Sequence, residues 1–250
     1  MRFKVLKETN LSGEIATQIS KLTGCGFKRI GDLSFDFSFG GCFTNVDEMV
    51  LCFTDGEQDQ CWRGTDPLGN FYETSKSIYK HRHTRVSSNG GKSNLSNRIS
   101  MKFKGTAFAL GAFSPNHNHL ELLDLRTWSW KSRSDYPFHS GLNRHANIAY
   151  DENFIVFGGY CSGEGCPSNS RVSVIAKYEV NLDIWTKLGD LVNARGAPNV
   201  ILSNGYFLVF GSYPTEKCTL LDNQMSCIQQ DPSISNHNQL FYVAQGFCQK

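Results

Sequence analysis

FIVFGGY at Phe154–Tyr160, a polar Gly-rich loop, and then SVIAKYEVNLDIW at Ser173–Trp185 form the stretch that decides the fold. An apolar, β-branched and aromatic run ends in a Gly pair. A second run reaches Tyr178-Glu179, and Trp185 closes the phrase. The phrase recurs in weaker form as FALGAF…LLDLRTWSW (Phe108 to Trp130) and FLVFGS…LLDNQMSCI (Phe207 to Ile228). Upstream, PLGNFYE places Phe71 in the slot held by Trp130, Trp185 and Ile228. Four unequal units of roughly 50 residues follow, and such a period fixes the architecture before any single residue is interpreted.

Each unit reads as four short strands. The second is an apolar run without polar alternation (Met49–Cys52, Phe108–Gly111, Phe154–Phe157, Phe207–Phe210), as expected of a strand buried on both faces. The third ends in a turn such as Asp124-Leu125-Arg126-Thr127, and the fourth carries the aromatic. Basic or His-containing segments open the next unit: HRHTRV from His81, NRHANIA from Asn143 and NARGAPNVI from Asn193. Two Ser/Gly/Asn-rich inserts, 86–98 and 160–171, lack apolar periodicity and read as loops.

The third unit resembles the kelch repeat in Phe157-Gly158-Gly159, Tyr178-Glu179 and Trp185. The second matches in part, through Gly111, Leu123-Asp124 and Trp130. The fourth is weaker, and the first has Cys52-Phe53 in place of the Gly pair. The resemblance covers roughly residues 40–232 and implies an all-β protein, a β-propeller of four-stranded blades. Residues 34–250 are expected to form about four to five blades, at roughly 40–80, 81–138, 143–192 and 193–232, with closing strands in 234–250. Residues 1–33 are expected to be an N-terminal segment and linker, with a short helix within 8–24. A blade cannot bury both faces alone, so Gly158, Gly159, Tyr178, Trp130 and Trp185 are expected to be scaffold.

The chain has 250 residues, a formal net charge of +2 and 19% charged residues, so no global field draws it to nucleic acid or membrane. No run of about 18 apolar residues exists to span a bilayer. Nine cysteines are many for a cytosolic chain of this size. Cys52 and Cys61 flank one turn signal, Cys218 and Cys227 another, and Cys161 with Cys166 brackets SGEG. Each pair is expected to form a disulfide. Sequons at Asn10 and Asn94 are glycosylation candidates. The N-terminus lacks a secretory h-region, yet the cysteines favour an extracellular or secretory setting over the cytoplasm.

No nucleophile elbow, phosphate loop or dinucleotide fingerprint is present. His117, His119 and Glu121 share a strand face by the period of two, but their place beside a turn argues against a metal centre, and no cofactor is expected. The expected function is non-enzymatic binding of a protein or glycan through the inter-strand loops, with Arg82, Arg85, Arg144 and Arg195 as candidate contacts. Two alternatives stay open: a galactose-oxidase-like or other metal-dependent propeller enzyme, and an intracellular kelch adaptor.

Overall fold

The structure is a computed structural model. It describes residues 50–53, 59–64, 71–81, 105–111, 118–167, 170–211 and 214–230 with their side chains. It adds the backbone of five strands before residue 50 and one at 86–88. The described chain is all-β, and no helix among the described residues is long and apolar enough to cross a membrane.

β1 (Phe3–Thr9), β2 (Ile15–Thr23) and β3 (Gly26–Asp32) form a three-stranded antiparallel sheet. The short helix expected within 8–24 is therefore corrected to strand. Ile15, Ile19 and Leu22 satisfy helical spacing, but Ile15, Thr17 and Ile19 are also β-branched at every second position. They pair with Thr9, Lys7 and Val5. For a short run both periods fit, and β-branching weighs toward the sheet.

Four further antiparallel sheets follow in chain order. The first holds β4 (Gly41–Asn45), β5 (Glu48–Cys52), β6 (Cys61–Gly64) and β7 (Tyr72–Glu73). The second holds β8 (Val86–Ser88), β9 (Thr106–Leu110), β10 (Leu120–Asp124) and β11 (Ser129–Arg133). In the third, β12 (Ala146–Tyr150), β13 (Asn153–Phe157), β15 (Ser170–Glu179) and β16 (Ile184–Arg195) pair in sequence, and the short β14 (Tyr160–Cys161) adds to β15. The fourth holds β17 (Asn199–Ser203), β18 (Tyr206–Phe210), β19 (Glu216–Leu221) and β20 (Gln224–Gln229). The expected closing strands of 234–250 lie outside the described residues.

Consecutive sheets stack face to face, and this explains the missing polar alternation. In β13, Phe154 and Val156 face the second sheet, where they meet Phe108, Leu110 and Leu122. Ile155 and Phe157 face the fourth sheet, against Phe207, Val209 and Met225. Ala107 and Ala109 of β9 turn to the first sheet and meet Val50, Cys52 and Cys61. The period of two still operates, but both faces are apolar. Each buried Leu or Phe contributes about 1.5–3 kcal/mol. The first strands also neighbour one another, β4 with β8, β8 with β12, and β12 with β17.

The slot tryptophans bind adjacent sheets together. Trp185 Nε1 donates to Ser134 O at 2.8 Å, while Ser134 N donates to Asp183 Oδ1 at 2.9 Å. The linker between the second and third sheets is thus gripped at both faces of one residue. Trp185 also packs against Tyr178, Phe108 and Tyr136. One sheet earlier, Trp130 Nε1 donates to Ser75 O at 3.0 Å.

Tyr178 Oη donates to Asp183 at 2.6 Å. Burial, then that hydrogen bond, holds the Tyr178 phenol well above its usual range. Desolvation pushes the Asp183 carboxyl up, but donors from Ser134 and Tyr178 and the Arg133 charge outweigh it and lower its pKa. A carboxyl with a lowered folded pKa stabilises above its unfolded value of about 3.9, and that contribution fades as pH falls through the folded value. Asp183→Asn is therefore expected to flatten the acid limb of the stability curve below about pH 4, read from urea midpoints. An unchanged slope would remove the carboxylate from this account.

Three hairpins use two-residue turns with both central φ positive: Asp151-Glu152, Asn204-Gly205 and Asp222-Asn223. That is the type I′ geometry that matches strand twist. All three expected disulfides are present. Cys52–Cys61 and Cys218–Cys227 join residues directly opposite on neighbouring strands, and Cys161–Cys166 closes the loop after β14.

Candidate functional site

Strand direction sorts the connections into two ends of the sheets. The connections from second to third strand and from fourth strand to the next sheet emerge together. The linkers 134–145 and 195–199 and the loop 158–171 therefore share one end. The chain leaving Ser88 and re-entering at Thr106 emerges at the other. The two long inserts, 86–98 and 160–171, are thus rooted at opposite ends of the sheets.

Loop 158–171 is docked by backbone bonds. Asn143 and Tyr160 exchange N–H···O bonds at 2.9 and 2.8 Å. Ser140 O accepts from Ser162 N and Gly163 N, and Ser162 Oγ donates to Gly141 O. Gly159 N donates to Arg195 O at 2.8 Å, tying in the next linker. On the far side, Asn118 binds Tyr136 through both backbone and side chain, and its Oδ1 accepts from Leu142 N. Around this platform Tyr160, Arg144 and His139 are half-buried, while Glu164 and Arg171 are exposed. Tyr79 stacks on His119 at 3.8 Å, and His119 meets Asp135 at 3.0 Å. Burial, and next the Lys187 ammonium, push the His139 imidazole down against the opposing Asp190 carboxylate.

Two glycines make the docking possible in different ways. Gly159 has a φ of 112°, and a Cβ there would lie 2.8 Å from Asn143 O. The Tyr160 ring lies where a methyl group on Gly196 would go. Gly159→Ala meets backbone and is expected to cost about 2 kcal/mol or more, read by chemical denaturation. Gly196→Ala meets only a movable ring and is expected to displace Tyr160 at a smaller cost. Equal losses would show that the loop does not depend on its backbone contacts.

Beneath the platform lie two carboxylate clasps. Glu216, at the start of β19, accepts from Val192 N at 2.8 Å and Asn193 N at 3.0 Å. It also receives the Arg195 guanidinium at 2.8 Å, and both side chains are 0% exposed. Glu121 in β10 repeats the pattern, accepting from Ile78 N and Tyr79 N and pairing with His81 Nε2 at 2.8 Å. The His81 Nδ1 faces Gly111 O at 2.9 Å, so both ring nitrogens face oxygen atoms. In each clasp the basic residue lies three residues after the first bound N–H. The third sheet has Ala176 at the matching position.

No family profile matches the chain, and no curated protein matches it. The chain is similar to the solved structure of YjhT, with a TM-score of 0.69 at 11% identity over 90% of this chain and 80% of that one. At that identity the likeness is one of fold alone.

The expected site residues separate in this frame. Arg195 is fully buried and its charge is spent on Glu216 and the Pro214 carbonyl, so it is corrected from candidate contact to scaffold. Arg144 opens the third sheet, half-buried with a φ of 48°. Arg82, Arg85, Asn10 and Asn94 lie outside the described residues. Gly158 and Gly159 lie with positive φ against neighbouring backbone, Tyr178 donates to Asp183, and Trp130 and Trp185 donate to Ser75 O and Ser134 O. Of the His117, His119 and Glu121 set, His119 turns to Asp135 and Glu121 to His81, while His117 lies outside the described residues. The clasps went unread in the sequence. Their one signal was a carboxylate within the third strand of a unit, in LELLD and in EKCTLL.

Proposed function

We propose that the chain is a non-enzymatic interaction domain, a kelch-like β-propeller of about four to five blades that binds a protein or glycan partner through its inter-strand loops. Four sheets stacked in chain order, with their first strands side by side, support the propeller reading. The binding reading rests on one observation: loop 158–171 is closed by a disulfide and pinned to two linkers, so its surface groups are held before any partner arrives. Preorganisation of this kind lowers the ordering cost of binding. Tyr160 offers a ring face, and Arg171 and Glu164 offer opposite charges at the same end. Three disulfides support an extracellular setting, where such partners are met.

The test is a glycan array together with cross-linking capture, using protein with its disulfides intact. Tyr160→Ala and Arg171→Ala are expected to weaken the captured interaction, while Gln224→Ala at the opposite end leaves it unchanged. Binding lost only through the opposite end, or no ligand in either class, would reject this reading.

A further inference from the structure

His139, Cys161 and Cys166 bring one imidazole nitrogen and two sulfurs within 4.8 Å of one another. We infer that these three residues form a redox-gated site for a soft divalent cation such as Zn(II), latent in the disulfide and opened by a dithiol reductant. The inference goes beyond partner binding and stands without it.

The donor set is suited to the task. Two thiolates and an imidazole are the commonest ligands of tetrahedral zinc, and Cys161-x4-Cys166 falls within the usual ligand spacing. The geometry does not depend on the disulfide. Ser140 O holds Ser162 N and Gly163 N, Ser162 Oγ holds Gly141 O, and Asn143 pairs with Tyr160. These bonds directly follow His139 in the chain and flank Cys161, so the three donors stay together when the sulfur–sulfur bond is cut. His139 makes no hydrogen bond among the described residues, leaving its nitrogens available. The other acid-and-sulfur group, Glu216 with Cys218 and Cys227, differs because its carboxylate is committed to Arg195.

The opening step balances as thiol–disulfide exchange. Cys166 is half-buried and Cys161 nearly wholly buried, so the reductant's thiolate attacks Cys166 Sγ and Cys161 leaves as thiolate. The reductant's second thiolate then attacks its own sulfur in the mixed disulfide. Cys166 leaves, and the reductant is oxidised to its cyclic disulfide. Two electrons reach the protein, and both cysteines end as thiols. Cation binding then releases their two protons. Three protein ligands leave the fourth position to water or a ligand group.

The test is a Co(II) titration of the full chain, followed by displacement with Zn(II), before and after mild dithiol treatment. Mass spectrometry of the alkylated protein identifies which cysteines have been reduced. The expected result is one equivalent bound, with a thiolate-to-cobalt charge-transfer band, only after Cys161–Cys166 opens. His139→Gln keeps the disulfide and the fold, yet it is expected to weaken binding at least as much as the ~10–100-fold loss seen when an outer-shell partner is removed. Cys161→Ser/Cys166→Ser is expected to abolish the band. A band that survives the double substitution, a His139→Gln affinity no weaker than wild type, a reduced wild type that shows no band, or a pair that resists excess dithiol in the folded protein would each overturn the inference.

Discussion

Glu216→Ala is expected to lower the unfolding free energy by about 3–5 kcal/mol, the cost typical of breaking a buried ion pair from one side. The substitution leaves the Arg195 guanidinium buried without its counter-charge. It also strips Val192 N and Asn193 N of their acceptor. Urea denaturation under non-reducing conditions measures the loss. Pairing Glu216→Leu with Arg195→Met is expected to recover only part of it, because the two backbone donors remain unmet. A single substitution costing under about 1 kcal/mol would mean the clasp is not buried in solution.

Trp185→Ala is the second large effect, expected at about 3–5 kcal/mol for removing a packed aromatic. The indole fills space between Phe108 of the second sheet and Tyr178 of the third, so the cavity would open at the seam. Trp185→Phe separates packing from polarity. It keeps a ring but leaves Ser134 O without its donor, for an expected cost nearer 1–2 kcal/mol. Circular dichroism gives the readout, since it does not depend on the emission of the substituted indole. If Phe and Ala cost the same, the hydrogen bond rather than the ring holds the seam.

The sequence revealed most where structure repeats with chain position. The runs at Phe108, Phe154 and Phe207 mark three second strands, and the slot aromatics at Trp130 and Trp185 mark two seams. Cysteines placed across short hairpins revealed their pairing because opposite residues of a hairpin are also near in sequence. Glu121 and Glu216 stayed hidden for the opposite reason. Their partners His81 and Arg195 lie 40 and 21 residues upstream, ahead of the first strand of the same sheet, and nothing local in the sequence joins them. Arg195 looked like a surface cation because its counter-charge was out of view. Residues 8–24 misled because Ile15, Ile19 and Leu22 fit two periods at once, and the pairing with β1 decides between them.

All three disulfides among the described residues are local, each staying within one sheet or one loop. Short segments close far faster than distant cysteines meet, on the order of tens of nanoseconds for a loop of about ten residues. Each of these three pairs can therefore close as its segment emerges during synthesis, without waiting for the rest of the chain. Among the described residues no disulfide joins one sheet to another, so a cut in a linker would leave these three pairs native. Duplicating such a unit adds a correctly paired copy without disturbing the pairing of the others, which suits a protein that grows by repetition.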